Sequence, residues 1–326
     1  MKYFYSSFII TILGLLLAYF IGGFLAVLYL FFAWNFSKLV FSFDNAVVNA
    51  KILSGMNKKW QDRFIIFGIP IAVFGMRFLF PILIVSVAAN LGMWETFSLA
   101  LNDPDAYHNA LSANKNQIYI FGGAFLLMVF LSFFFEEKDV KWIRFIEDNY
   151  LVHILSKTNS IALFIAILTG MIIVFLTQNT SYALSYFGAV LLHMALSLFD
   201  DIFSANGVKS GFMGFLYLEV LDASFSFDGV IGAFAMSENI FIIMIGLGIG
   251  AMFVRSLTIY MVHKKTLESF IYLEHGAHYA ILALAIIMFI NVFHEVGEAI
   301  TGTIGFGLIV IAFLSSIYKN KKITNG

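Results

Sequence analysis

The sequence predicts an all-α polytopic membrane protein, a transmembrane helical bundle of about ten spans built from an inverted repeat. Three observations predict it. Of 326 residues, 61% are hydrophobic and only 12% are charged. A soluble chain uses roughly 25% charge to cover itself, so no water-facing surface can be assembled here. The tetrapeptide Phe-Ser-Phe-Asp occurs twice, at 41–44 and 225–228, and an apolar stretch with one arginine follows each copy, Arg77 in one case and Arg255 in the other. The basic residues also segregate to one side when the chain is threaded through ten spans.

Residues 7–53 are almost unbroken apolar sequence. At about 1.5 Å per residue this is too long for one crossing of a hydrocarbon core about 30 Å thick, so it divides into two spans with a tight turn at Gly22-Gly23. The first span lacks the small-residue cleavage site of a signal peptide and leads into further apolar chain, so it reads as retained. Further spans fall at 63–90, 117–135, 160–177, 183–205, 212–236, 239–262, 270–293 and 300–318. With a cytoplasmic N-terminus, the cytoplasmic segments hold Lys2, Lys51, Lys58, Lys59, Arg63, Lys138, Lys141, Arg144, Lys157, Lys209, Lys264, Lys265, Lys319, Lys321 and Lys322. Lys115 lies on the other side, in an acidic loop with Glu95, Asp103 and Asp105. Fifteen of nineteen basic residues on one face is the positive-inside pattern. It predicts a multi-pass protein of the cell (inner) membrane with both termini cytoplasmic.

The whole chain reads as one transmembrane domain, with repeat 1 at about 25–135 and repeat 2 at about 183–293. The motif spans are the second and the seventh, an odd number apart, so the copies run in opposite directions. Inverted repeats of this kind build many secondary transporters, with the site where the copies meet near mid-membrane.

The chemistry concentrates in 216–235, an apolar segment that carries Glu219, Asp222 and Asp228. An acidic residue at a helix centre costs roughly 2.5 to 3.5 kcal/mol, so three in one span are expected only beside a bundle interior, a cavity or a bound cation. Glu219, Asp222 and Ser226 stand at i, i+3 and i+7 and share a helical face. Asp228 falls on the opposite side of an ideal helix, so it either meets another partner or sits where the helix loosens at Gly229. In the first copy Ser42, Asn45 and Asn49 form the matching polar face, with Asp44 offset as Asp228 is.

Carboxylate, amide and hydroxyl oxygens are the ligand set of Mg²⁺, Ca²⁺ or Mn²⁺. The absence of cysteine excludes disulfides, thiolate zinc sites and iron–sulfur ligation. The predicted metal ligands are therefore Asp44, Asn45, Glu219, Asp222 and Asp228. Lys38, Ser42, Asn49, Arg77, Ser226 and Arg255 are supporting polar or ion-pairing groups, the arginines pairing with acids such as Asp44 or Asp228. His193 with Asp200 and Asp201, and Glu274 with His275 and His278, are candidates for a proton relay or second metal site. The latter group reads equally well as an interhelical hydrogen-bonded clamp.

Several classes are set aside. The near-zero net charge and the lack of any basic run give no support to nucleic-acid binding. The run His294-Glu295-Val296-Gly297-Glu298 lacks the second histidine of the zinc-protease motif. No nucleophile or complete metal triad lies at membrane depth, so the chain does not read as an enzyme. No resident cofactor is expected, and the oligomeric state is open.

The run Glu219-x-x-Asp222-x-x-x-x-x-Asp228, together with Ser42-Phe43-Asp44-Asn45-Ala46, resembles the TerC family of integral membrane proteins. The segment Tyr272-Leu273-Glu274-His275-Gly276-Ala277-His278-Tyr279 is similar to the longer branch of that family, known only as a domain of unknown function. The resemblance covers about residues 25 to 293. It implies metal-ion homeostasis, with manganese efflux as the activity, tellurium resistance as the historical name, and kinship with LysE-type exporters. Lys38 departs from the pattern, since relatives place a glutamate six residues before the first motif aspartate. The expected function is a secondary transporter exporting a divalent cation, Mn²⁺ first, with protons as the coupling ion and the lipid bilayer as its surroundings. The alternatives are an exporter of a small organic cation or amino acid, and a membrane-embedded metal-handling partner without transport.

Overall fold

The computed structural model describes residues 2–30, 43–71, 75, 79–158, 160–203, 211–236 and 240–324, and among these all regular structure is helical. In chain order the α-helices are α1 (Tyr5–Tyr29), α2 (Phe43–Ser54), α3 (Lys58–Pro70), α4 (Phe80–Ala88), α5 (Met93–Asn102), α6 (Pro104–Phe135), α7 (Arg144–Glu147), α8 (Tyr150–Ser156), α9 (Ile161–Thr177) and α10 (Thr180–Phe203). They continue as α11 (Gly211–Met236), α12 (Ile240–His263), α13 (Thr266–Ser269), α14 (Leu273–Asn291) and α15 (Glu298–Thr324). A chain this apolar satisfies its backbone within each segment, which leaves the helix as the way to span lipid without a barrel.

Among the described residues six segments are long and apolar enough to cross a membrane: Tyr5–Leu28, Asp105–Phe135, Thr180–Leu198, Phe241–His263, Leu273–Asn291 and Ile300–Lys321. By length and composition the chain is thus a multi-pass membrane protein. The apolar α9, at 17 residues, is shorter. The expected span at 63–90 is represented by α3 and α4, with Gly75 described between them. The tight turn expected at Gly22-Gly23 is instead a kink inside α1: the backbone leaves the helical region at Gly23 (φ 68°, ψ −163°), helical structure resumes to Tyr29, and Tyr5–Leu28 forms one membrane-length segment. Only glycine adopts such angles without strain.

The spine is α6. Proline at its first position and the Asp103 side chain, which accepts from the Ala106 N–H at 3.0 Å, start it. From Ile118 to Leu131 it is buried almost continuously, because α9, α10, α11 and α14 all pack on it. Small residues set the close approaches. A Cβ on Gly276 of α14 would lie 2.4 Å from the Ala312 Cβ of α15, so these helices meet almost backbone to backbone.

α1 runs antiparallel to α12. Ser7 donates to the Met252 carbonyl (2.8 Å) and shares a hydrogen bond with Ser256 (2.7 Å). Gly14 faces Ile245 and Ile249, and Gly22 faces Ile242, so the partner numbers fall as those of α1 rise.

The short α2 sits inside the bundle, against α11, α12, α14 and α15. Every residue from Asp44 to Ala50 is buried, three polar ones included. At one end of the molecule Lys51 pairs with Glu274 (2.8 Å), Lys319 lies over the Tyr272 ring, and Tyr3 stacks on His263. Lys115 pairs with Glu295 at the other end, in the irregular segment before α15 that contains the histidine–glutamate run.

Candidate functional site

The site forms where the two helices that bear the repeated motif cross. Asn45 of α2 donates from Nδ2 to Oδ1 of Asp222 on α11 at 2.7 Å. Further along, Met56 lies against Gly214. Rising numbers before and through the end of α2 therefore match falling numbers on α11, and the motif helices run in opposite directions. A carboxylate that accepts a side-chain amide inside a bundle is a strong hydrogen bond, worth roughly 1.5 to 3 kcal/mol.

Next to this contact is a small cavity, with about 20 Å³ open to the centre of a water-sized sphere. Its polar lining is Asn49 from α2, Glu219 and Asp222 from α11, and Arg255 from α12. Phe64, Leu218, Ala251 and Val254 close it. Asn49, Glu219 and Arg255 are buried. The Arg255 guanidinium sits 3.9 Å from the Phe64 ring centroid, and Glu219 and Asp222 are the acids whose charges act on it. Its Nε and Nη2 are buried without a hydrogen-bond acceptor, and the Oδ1 atoms of Asn45 and Asn49 are buried without a donor. Thr258 fastens α12 to α2, with its hydroxyl between the Ala46 carbonyl (3.4 Å) and the Val254 carbonyl (2.9 Å). A space of this size with polar walls has room for a water or a small ion.

Asp44 does not line this cavity. Its Oδ1 accepts from the Asn45 N–H at 2.9 Å, and its Oδ2 faces Gly305 of α15, 3.8 Å from where a Cβ there would stand. Neighbouring positions on a helix differ by about 100°, so α2 turns Asn45 and Asn49 toward α11 and α12 and Asp44 toward α15. Lys38, Ser42 and Arg77 lie outside the described residues, as do the side chains of Asp200, Asp201, Ser226 and Asp228. Of the two backbone alternatives at Gly229, the helix is continuous: α11 passes through Asp228 and Gly229 without a break. Among the described residues no three His, Cys, Asp or Glu side chains converge; carboxamides complete the polar lining instead. Arg255 shares the cavity with Glu219 and Asp222, Asp44 lies toward α15, and the expected pairing of Arg255 with Asp228 falls outside the described side chains.

The Glu274, His275 and His278 group forms a clamp around the segment after α6. His275 donates from Nε2 to the Val140 carbonyl (2.9 Å) and stands 3.4 Å from Glu147 Oε2. Glu147 also accepts from the Trp142 N–H (2.8 Å) and the Tyr279 hydroxyl (3.1 Å). His278 donates from Nδ1 to the Glu274 carbonyl and stacks on Phe133 at 3.6 Å, with the Lys138 ammonium 3.2 Å from the same ring. Glu147 carries no motif and ends the four-residue α7 in a polar stretch between apolar segments, so nothing in the sequence singles it out. His193 is buried on α10, edge-on to Phe125 and Tyr217.

Burial pushes the Lys138 amine down from its ordinary 10.5 to about 8, with the Glu147 charge opposing that shift. Because the folded state releases the proton first, this group weakens the fold below about pH 8 and the cost is relieved as pH rises toward 10.5. Trace acylation followed by mass spectrometry should give Lys138 a pH midpoint near 8. A midpoint like that of exposed lysines would contradict the burial.

A helical bundle with six apolar, membrane-length helices among the described residues is a multi-pass membrane protein, and this one holds acids, amides and a guanidinium between its helices. The chain belongs to the family described as "Protein of unknown function (DUF475)", whose model matches residues 43–323. No curated protein and no solved structure matches the chain.

Proposed function

We propose that this protein is a secondary transporter that exports a divalent metal cation, Mn²⁺ first, in exchange for protons. The observation that carries the reading is the Asn45–Asp222 hydrogen bond, because it joins the two motif helices, oppositely directed, at a buried polar site. Buried ionisable groups at membrane depth mark ion pathways, and oppositely directed repeats meeting at a site fit alternating access. Glu219 and Asp222 would supply carboxylates, and Asn45 and Asn49 carboxamide oxygens, a donor set suited to hard or borderline divalent cations. Asp44 and Asp228 would extend the acidic path along the same helices. Ten spans, an inverted repeat, cytoplasmic termini and kinship with TerC proteins belong to this reading.

A second reading has a specific observation behind it. Arg255, two of whose buried N–H groups have no acceptor, shares the cavity with two acids, a combination of charges that suits an amino acid or other zwitterion.

The test is purified protein in liposomes loaded with a metal-sensitive dye, with a pH gradient as the driving force. Mn²⁺ is expected to accumulate against its own gradient and to release protons in proportion. Movement of a labelled basic amino acid without metal movement would replace the first reading by the second, and no movement of either would end both.

A further inference from the structure

We infer that the apolar layer of Leu53, Met56, Phe64 and Leu218 is a gate on one side of the cavity, and that α3 is the part that moves to open it. The inference rests on the transport reading. Its basis is where these side chains stand along the helices that line the cavity. On α2 Asn49 lines the cavity, with Leu53 one turn on and Met56 in the turn beyond the helix. On α11 Glu219 and Asp222 line it, and Leu218 and Phe215 lie back toward the start of that helix. On α12 Arg255 lines it, and Val262 lies two turns on. All three progressions lead to the end of the molecule that holds the Lys51–Glu274 pair and the Tyr3–His263 stack. None of the four residues of the layer is more than 5% exposed. Phe64 and Leu218 also wall the cavity, so the layer closes it on that side. A metal cation cannot cross such a layer without shedding its water, which is how apolar constrictions gate pores.

Of the helices that meet in the layer, α3 is the least constrained. α2, α11 and α12 each pack on several helices, whereas α3, among the described residues, packs chiefly on α11. It joins α2 through the short irregular turn at 55–57, and hinge motions use such turns between elements. Its hold on α11 is aromatic. Trp60 lies against Gly211, where a Cβ would overlap the indole, with the Phe212 and Phe215 rings 6.0 and 6.1 Å away. Phe64 meets Phe215 edge-on, while Lys58 and Lys59 of the same helix are exposed. Lifting α3 from this patch takes Phe64 out of the layer and uncovers Leu218.

The chain contains no cysteine, so introduced cysteines report alone. Trp60→Cys with Gly211→Cys places two Cβ atoms within the span of a disulfide and ties α3 shut when oxidised. In liposomes, exchange of radioactive for unlabelled Mn²⁺ is expected to rise at least tenfold when dithiothreitol opens this bond. Equal exchange with the bond closed and open overturns the inference while the transport reading stands. A second measurement carries the test should that pair fail to fold. In detergent, a charged maleimide is expected to label Leu218→Cys at least tenfold faster when Trp60→Ala is added, and Ile120→Cys, fully buried in α6, no faster. No gain at Leu218→Cys, or an equal gain at Ile120→Cys, also overturns the inference. A parent protein that exchanges no Mn²⁺ ends the transport reading itself.

Discussion

Asp222→Asn is expected to lower metal flux at least a hundredfold while the protein still folds and reaches the membrane. The substitution keeps the shape of the side chain and an oxygen that can accept from Asn45 Nδ2, so the bond between α2 and α11 survives in neutral form. What disappears is one of the two carboxylates of the cavity. A hundredfold loss corresponds to about 2.7 kcal/mol, the scale expected when a buried cation loses a charged ligand. Asp222→Ala serves as the contrast. It removes the acceptor as well and strands the Asn45 amide, which adds about 1 to 3 kcal/mol of destabilisation. Flux in liposomes and melting temperature in detergent separate the two effects. Parental flux in Asp222→Asn would exclude this cavity as the ion path.

The largest structural effect is expected at Glu147. Its carboxylate receives the Trp142 N–H, the Tyr279 hydroxyl and a close approach from His275, and its side chain is only 8% exposed. Glu147→Ala leaves those donors without their acceptor in a dry setting, for a cost of about 2 to 4 kcal/mol. The segment 136–149 should then loosen from α14, to which the His275–Val140 hydrogen bond and the edge-on contact of Trp142 with Tyr279 also join it. Limited proteolysis should find new cleavage in 136–149, with a lower melting temperature. Glu147→Gln retains an acceptor and should be intermediate. Unchanged protease resistance in the alanine variant would show that the clamp does not depend on this acid. Lys141, paired with Asp148, holds the surface of the same segment; such an exposed pair contributes little.

Much of the polar site was legible in advance because helical spacing is a property of one segment. Glu219 and Asp222 lie one turn apart, and the structure finds both on the cavity wall. Asn45 and Asn49 share a face for the same reason, and Asp44, offset by one residue, faces elsewhere. The partner of Arg255 was harder. Periodicity says which side of α12 it occupies but not which helix lies there, and that Glu219 and Asp222 share its cavity is visible only in three dimensions. The clamp at Glu147 was invisible, since this acid becomes buried only when a helix 126 residues later, at Leu273, closes over it. The span count shows the limit from the other side: among the described residues six segments pass on length and apolarity, while the acid-bearing α11 is too polar for that criterion and is identified by where it packs.

Taken alone, the chain determined its solvent, its helical class and the residue types available for chemistry, because hydrophobic content and the cost of charge in lipid depend on composition and local pattern. The tertiary structure decided which helices face each other: that Asn45 meets Asp222, that Arg255 shares a cavity with two acids, and that Asp44 turns toward α15. Those pairings depend on contacts between separate segments of the chain. They are set by how small residues and apolar faces fit, a matter of shape that no single segment encodes.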